Sequence, residues 1–205
     1  GKAGAIALAD SPAEAEAAAR RILGMTLGAI RVERLLVEKR IEIARELYAA
    51  VLNDPASQGP LVLFSTLGGM DIEEAAARDP QSVRRHPVDI RAGFAAGDAE
   101  KMLANLDLGP AQAPLAGILV RLYDFYRACD AELVEINPLA LARSGELVAL
   151  DGKLVLDDGA ASRQEALAKR GIAEPLTGLE ARGHAAGFRF IELDGDIGIL
   201  ANGAG

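Results

Sequence analysis

The sequence predicts a mixed α/β protein, and three features of the chain lead to this expectation. Short apolar runs typical of strands alternate along the chain with longer, alanine-rich segments of helical periodicity. Prolines and glycines separate most of these segments. Half of the 205 residues are apolar and a quarter are charged, which is the composition of a globular protein that folds in water.

The first part of the chain is predicted to form a strand, a helix and a second strand. The apolar run at 5–10 is the first strand. The helix begins at Pro12 with Ser11 as its N-cap, and Gly24 ends it. The segment 31–39 is expected to be the second strand.

The middle of the chain is predicted to begin with a hairpin and a helix. Segments 46–54 and 59–69 are expected to be strands, because they are apolar and are joined by a turn of Pro, Ser and Gly. A helix capped by Asp71 follows and ends before Pro80, and residues 86–94 are expected to be irregular. The remaining predicted elements are helices over 98–108 and 113–130, a hairpin over 131–156, a helix over 160–170, and strands over 188–194 and 197–203.

Charge and cysteine content argue against several classes of protein. Thirty acidic and 22 basic residues leave a net charge of −8, which disfavours non-specific binding of nucleic acid or of anionic membranes. Cys129 is the single cysteine, so no disulfide framework is expected and a reducing, cytoplasmic setting is predicted. No apolar run is long enough to span a bilayer, so we expect neither a membrane-spanning segment nor a signal peptide. The chain begins within the loop-like motif "GKAG" and ends after an apolar segment, so we expect a fragment of a longer protein.

The predicted hairpin "AELVEINPLALARSGELVALDGKLVL" (131–156) contains a turn that sets its strand register. A three-residue hairpin loop places glycine last, because that position requires the left-handed backbone conformation. If residues 143–145 form this loop, Ala142 pairs with Glu146.

This register places four polar side chains on one face of the hairpin. Asn137 lies opposite Asp151, and Glu135 lies opposite Lys153, and directly opposed residues share a face. One carboxylate beside one amide oxygen suits Mg²⁺, which keeps water ligands and takes further oxygens from substrate phosphates. The alternative is a solvent-facing strand side that carries an ion pair between Glu135 and Lys153. The spacing alone leaves both interpretations open.

Five segments together resemble the β-subunit family of nucleotide-dependent succinyl-CoA synthetases and their acyl-CoA synthetase relatives. They follow one another in the family's order along nearly the whole chain. The segments are "GKAG", "LLVEKRIEIARELYAAVLND", "STLGGMDIEE", "LVEINPLAL…GELVALDGKL" and "LDGDIGILANGAG".

The resemblance implies an ATP-grasp fold of two α+β lobes that clamp a Mg-nucleotide between them. It implies that residues 1–40 form the small lobe, truncated at its N-terminus, and that residues 41–180 form the large lobe. Residues 181–205 would begin a flavodoxin-like CoA-ligase domain.

The resemblance also implies roles for individual residues. Asn137 and Asp151 match the family's magnesium ligands, in agreement with the register. Glu135 matches a catalytic acid that meets a phosphorylated histidine of the partner α-subunit. Nucleotide binding is implied for four residues and binding of the acid substrate for one, namely Gly1, Lys2, Glu38 and Glu46, and Asn202.

The implied activity is that of an acid–CoA ligase that uses Mg²⁺ and either ATP or GTP. The nucleotide phosphorylates the α-subunit histidine, the phosphoryl group passes to a small carboxylic acid such as succinate, and the thiol of CoA attacks the acyl phosphate. Leu67 stands where the family usually has an acid, and "DDGAASR" at 157–163 also departs from the usual pattern. These departures leave open a malate– or citrate–CoA ligase type of enzyme. A non-catalytic, nucleotide-binding regulatory subunit is the alternative from another class.

Overall fold

A six-stranded antiparallel sheet dominates the first of two structural units. The computed structural model describes residues 4–28, 30–171 and 176–202. The first unit comprises Gly1–Ala160 and the second comprises Ala161–Gly205. Sheet and helices together confirm the predicted mixed α/β class.

The first helix, α1 (Pro12–Ile22), begins and ends where the sequence predicts. The Ser11 hydroxyl accepts a hydrogen bond from the Glu14 N–H at 3.3 Å, which satisfies one of the unpaired donors of the first turn. Gly24 follows the helix with φ +82°, a conformation that glycine adopts without steric cost.

The prediction of a strand on either side of α1 is wrong for most of both segments. Residues 5–10 are irregular, and the segment 31–39 contributes only its first residue to a strand. The strands that do form here, β1 (Thr26–Leu27) and β2 (Ile30–Arg31), make a small separate sheet. An apolar run becomes a strand only if a neighbour pairs its backbone groups. Among the described residues no strand pairs with 5–10, and only Arg31 of the second run has a strand partner, Thr26.

The large sheet contains two hairpins and an edge strand, and the predicted hairpin over 46–69 is confirmed. Its strands are β3 (Ile43–Asp54), β4 (Gly59–Ser65), β5 (Val83–Pro87), β6 (Ala131–Ala142), β7 (Leu147–Ala149) and β8 (Gly152–Leu156). Strand β6 pairs with β3 on one side and with both β7 and β8 on the other, so the order is β5-β4-β3-β6-β7 with β8 also beside β6.

Three predicted helices lie along this sheet. They are α2 (Ile72–Arg78), α3 (Ala96–Leu103) and α4 (Gln112–Ala128). Helix α4 contacts β3 and β6 and packs against α3, and it buries the face that carries Leu115, Leu119 and Tyr123. The Tyr126 hydroxyl donates to Oδ1 of Asn53, which ties the end of α4 to β3. Helix α2 lies on the opposite face of the sheet, where Ile72 and Ala76 pack against Tyr48 and Leu63.

Strand β5 was not predicted, because its sequence "VRRHP" is polar and ends in proline. It pairs only with β4 and lies at the sheet edge, where proline and charged side chains are tolerated.

The second unit contains two short helices, α5 (Glu165–Ala168) and α6 (Gly178–Ala185). A capping box stabilises the start of α6: the Glu180 N–H donates to the Thr177 hydroxyl, and the Thr177 N–H donates to the Glu180 carboxylate. The strands predicted over 188–194 and 197–203 are wrong for the described residues, which are irregular up to residue 202. None of the helices in the described part of the chain has the length and apolar content needed to cross a membrane.

Candidate functional site

The hairpin of β6 with β7 and β8 has the predicted register. The Ala142 N–H donates to the Glu146 carbonyl at 2.8 Å, and Gly145 closes the loop with φ +89°. Further along the strands, Glu135 pairs with Lys153. The Asn137 N–H donates to the carbonyl of Asp151 at 3.1 Å. The local turn chemistry therefore sets the cross-strand neighbours of the polar residues.

An irregularity in β6 falls at Asn137 itself. The register between β3 and β6 shifts between Leu47, which pairs with Leu139, and Ala49, which pairs with Ile136. Two residues, Asn137 and Pro138, therefore stand opposite the single residue Tyr48, and the peptide bond between them is cis. Such a bulge redirects a side chain away from the regular alternation of the strand.

The Asn137 carboxamide binds the loop that follows β4. Its Oδ1 accepts from the Gly69 N–H at 2.8 Å, and its Nδ2 donates to the Met70 carbonyl at 3.0 Å. The neighbouring Gly68 N–H donates to the carbonyl of Glu46 on β3 at 3.0 Å. The loop 68–70 is thus held from β6 and β3 together.

Gly68 and Gly69 are both needed because atoms of β3 lie too close to the loop to leave room for a Cβ. A Cβ at Gly68 would lie 2.3 Å from the carbonyl oxygen of Leu47, which is backbone and cannot rotate away. Gly69 has φ +69°, and a Cβ there would lie 2.0 Å from the Glu46 carboxylate. The Glu46 side chain therefore lies directly against the loop that Asn137 holds.

A groove of about 840 Å³ extends from this loop across the sheet face beneath α2. Its floor is apolar and includes Leu61, Leu63 and Leu133. The polar and charged side chains that line it come from the loop and helix start, from β5 and from the hairpin, and they are Asp71, Glu73, Arg85, Glu135, Asn137 and Lys153.

Within the groove, Glu135 has a tyrosine as its partner. The buried Tyr48 hydroxyl donates to Glu135 Oε2 at 3.0 Å. Among the described residues, no ion pair joins Glu135 to the facing Lys153. Burial raises the pKa of Tyr48 well above its usual range, and the negative charge of Glu135 raises it further. The ion pair that the alternative interpretation of the hairpin requires is therefore not formed.

The resemblance also implicated Gly1, Lys2, Glu38 and Asn202. Gly1 and Lys2 lie outside the described residues. Glu38 is exposed in the irregular segment before β3. Asn202 is exposed in the second unit. The groove and its adjoining loop thus bring together Glu46, Glu135 and Asn137.

The donor set near Asn137 fits a magnesium ion. A carbonyl oxygen has two lone pairs, so Asn137 Oδ1 can accept from Gly69 and still bind a metal. Asp151, whose carbonyl accepts from the Asn137 N–H, is exposed, and its carboxylate would supply the charge. The described residues contain no group of three or more Asp, Glu, His or Cys side chains able to hold an ion by themselves. One carboxylate and one amide suit an ion that takes its other ligands from water and phosphate.

Two features of the site were not predicted from the sequence. They are Tyr48 and the hydrogen bonds by which Asn137 and Glu46 hold the loop 68–70. Tyr48 is an aromatic residue within an apolar strand, which the sequence alone does not distinguish from core. The paired glycines in "STLGG" are a visible signal of a close backbone approach, but they do not name the strand that is approached.

Comparisons with known proteins agree with the motifs. Residues 1–141 match the model of the ATP-grasp domain. The chain is 45% identical over 206 residues to the ADP-forming succinate–CoA ligase subunit beta of Rubrobacter xylanophilus. This match covers 100% of this chain and 54% of that one. It is 40% identical over 205 residues to the GDP-forming subunit beta of Thermus thermophilus, with the same coverage. The chain therefore spans about half the length of these curated relatives.

Solved structures show a similar fold. The ATP citrate lyase from Methanothrix soehngenii, in complex with citrate and coenzyme A, has a TM-score of 0.62 and 25% sequence identity. The match covers 84% of this chain and 41% of that one. ACD1 of Ca. Korarchaeum cryptofilum, in complex with coenzyme A, has a TM-score of 0.56 and 22% identity over 72% of this chain and 65% of that one.

Proposed function

The chain belongs to the ATP-grasp family, and from this membership we propose that it is the nucleotide-binding part of an acid–CoA ligase β-subunit. The ligase couples cleavage of ATP or GTP to formation of succinyl-CoA, through a phosphohistidine on a partner α-subunit. Similarity along the whole chain to succinate–CoA ligase beta subunits supports this choice of ligase.

The observation that carries the proposal is the convergence at one end of the groove. The Glu46 carboxylate, the Asn137 carboxamide and the loop 68–70 lie in contact there. Glu135 lines the same groove. Phosphoryl transfer depends on positioning and charge neutralisation more than on covalent help from the protein. Polar groups held by hydrogen bonds at the end of an open groove are suited to both tasks.

Nucleotide and metal are assigned to separate residues. Glu38 and Glu46, together with Gly1 and Lys2, bind the nucleotide. Asn137 Oδ1 and the Asp151 carboxylate would hold Mg²⁺. When bound, this ion neutralises charge on the nucleotide phosphates. The second lone pair of Asn137 Oδ1 supports this assignment, because holding the loop does not use up the oxygen.

Glu135 acts on the partner histidine. Its carboxylate accepts a hydrogen bond from the imidazole N–H and orients the ring, so that the opposite ring nitrogen faces the phosphoryl group. Its position in the groove, with the carboxylate not paired to Lys153, supports this role. Asn202 would bind the acid substrate.

A second candidate keeps this chemistry and changes the acid. The ATP citrate lyase that shares the fold was solved with citrate. In this chain Leu67 stands directly before the glycine loop, 43% exposed, at the position where related ligases usually carry an acid. A panel of succinate, malate and citrate tested with the full-length protein and its α-subunit separates the two candidates, and we expect succinate to give the highest rate of thioester formation.

The metal assignment is tested by ligand-dependent thermal stability of the full-length protein. Mg-ATP at about 100 times its Kd should stabilise the normal protein by about 2.7 kcal/mol. Asp151→Asn removes the charge that faces the ion but keeps the size of the side chain, so most of this stabilisation should be lost. Asp124→Asn changes an exposed carboxylate on α4 and should retain it in full. Equal stabilisation of the two variants across a magnesium titration would contradict the metal assignment.

The reaction class is tested with labelled ATP in the presence of the α-subunit. Acid-labile phosphate on the α-subunit histidine is expected before any thioester forms. A free acyl phosphate without phosphoenzyme would indicate another kind of ATP-grasp carboxylate ligase. Nucleotide binding without any transfer would indicate a regulatory subunit.

A further inference from the structure

Tyr48 has an environment that the proposed function does not yet explain. Its side chain is 1% exposed, and the ring packs with Leu61, Leu63 and Val83 on the floor of the groove. An apolar floor of this kind could be filled by phenylalanine without any unpaired polar atom. The hydroxyl instead reaches Glu135 Oε2 on the neighbouring strand, at 3.0 Å.

The direction of this hydrogen bond is fixed. Burial and the adjacent Glu135 charge raise the pKa of Tyr48, and the carboxylates of Asp71 and Glu73 raise it further. The phenol is therefore protonated at neutral pH, and its O–H donates to the carboxylate. A hydrogen bond to an ionised acceptor is about twice as strong as one between neutral groups.

Glu135 also has a cationic neighbour, but its hydrogen bond is with the neutral tyrosine hydroxyl. Lys153 faces Glu135 across the strand pair, but within the described part of the chain no ion pair joins them. The described residues supply the Glu135 carboxylate with one hydrogen bond, to Oε2, and this leaves Oε1 to accept a donor that enters the groove.

We infer that Tyr48 is a positioning residue that orients the Glu135 carboxylate toward an incoming histidine. The inference rests on the proposed function, since the histidine belongs to the α-subunit. A carboxylate on a flexible glutamate side chain samples several rotamers, and a buried hydroxyl on a rigid ring restricts it to one.

Tyr48→Phe in the full-length protein with its α-subunit tests this role. The substitution removes one oxygen and keeps the ring that fills the floor. Single-turnover phosphorylation of the histidine should slow about tenfold, because a hydrogen bond to a charged group is lost from the reacting geometry. The Kd of Mg-ATP should stay unchanged, since Tyr48 is not among the residues proposed to bind the nucleotide.

Tyr123→Phe is the matched control. Tyr123 is also 1% exposed, and its hydroxyl is buried on α4 with no hydrogen-bond partner among the described residues. Removal of that hydroxyl should leave the phosphorylation rate unchanged. Equal slowing by the two substitutions would show that the rate reports general core packing, and this result would overturn the inference.

A double-mutant cycle shows whether Tyr48 acts through Glu135. Glu135→Gln should slow histidine phosphorylation, and adding Tyr48→Phe to it should give no further slowing. If Glu135→Gln slows the reaction but Tyr48→Phe alone does not, the inference fails and the proposed function stands. Independent, multiplicative losses also overturn the inference. If Glu135→Gln has no effect, the role proposed for Glu135 fails, and the inference falls with it.

Discussion

Asn137 has two tasks in this site, and they use different parts of its carboxamide. Nδ2 is committed to the Met70 carbonyl, while Oδ1 accepts from the Gly69 N–H and keeps a lone pair for a metal. An aspartate in this position would bind a cation more strongly, but it cannot donate to Met70. The amide is therefore the side chain that satisfies the loop and the ion together.

Asn137→Asp should separate these tasks. The new oxygen would face the Met70 carbonyl and leave it without a donor, so the free energy of unfolding should fall by about 1–3 kcal/mol in the absence of metal. Urea unfolding followed by tyrosine fluorescence reports on the first unit alone, because all three tyrosines lie in it. Asn202→Asp, at an exposed position, should change the unfolding free energy by less than about 0.5 kcal/mol. An unaltered stability of Asn137→Asp would show that the loop does not depend on the Nδ2 donor.

At the scale of the element, the loop 68–70 and the hairpin loop 143–145 both depend on glycine, for different reasons. Gly68 needs the absence of a Cβ, because the Leu47 backbone fills that space. Gly145 needs a left-handed backbone at φ +89°, and among the described residues no atom beyond its chain neighbours lies within 4 Å of its Cβ position. One position is thus constrained by tertiary contact and the other by local turn geometry.

This difference predicts an order of stability losses for alanine substitutions. Gly68→Ala forces backbone displacement of the loop or of β3, and should cost about 3 kcal/mol. Gly145→Ala should cost about 1 kcal/mol, the steric penalty of a left-handed non-glycine residue. Gly97→Ala, within α3 and with open space around the new Cβ, should be neutral or stabilising. Urea unfolding of the three variants checks the order, and a larger loss for Gly145→Ala than for Gly68→Ala would contradict the close approach.

The same distinction explains what could be predicted from the sequence. The hairpin register followed from the loop 143–145, because turn chemistry is local. The ends of α1 followed from Ser11, Pro12 and Gly24 for the same reason. The hydrogen bonds from Asn137 to Gly69 and Met70 join residues that are 68 and 67 positions apart, and no local pattern specifies them.

Strand predictions failed where partners decide the outcome. Segments 5–10 and 188–194 are apolar enough to be strands, but no described strand pairs with them. Strand β5, which contains Arg84 and Arg85, forms in spite of its polarity because β4 offers an open edge. Pairing therefore overrides intrinsic preference in both directions.

At the scale of the whole molecule, the two units differ in how much apolar surface they bury. The first unit contains the buried sheet and α4, with residues such as Leu47, Phe64 and Leu119 wholly enclosed. In the second unit no described residue is buried, and Ile197, Ile199 and Leu200 are each more than 85% exposed. Stability within one chain is not uniform, and segments with few buried contacts open most readily.

Amide hydrogen exchange of the 205-residue chain should therefore divide at the boundary between the units. Peptides from β3 and β6 should exchange slowly, because their amides lie in the centre of the sheet and open only with the first unit. Residues 193–202 form no helix or strand, and their amides should exchange at nearly the rate of an unstructured peptide, even when β3 is fully protected. The N-terminal turn of α6, which the Thr177–Glu180 capping box stabilises, should show intermediate protection.

Exchange measured by mass spectrometry at constant pH and temperature, with the urea-unfolded chain as the unprotected reference, compares these segments directly. Protection of 193–202 equal to that of β3 would mean that Ile197, Ile199 and Leu200 are covered in solution, and the second unit would then have a core that its exposure does not indicate.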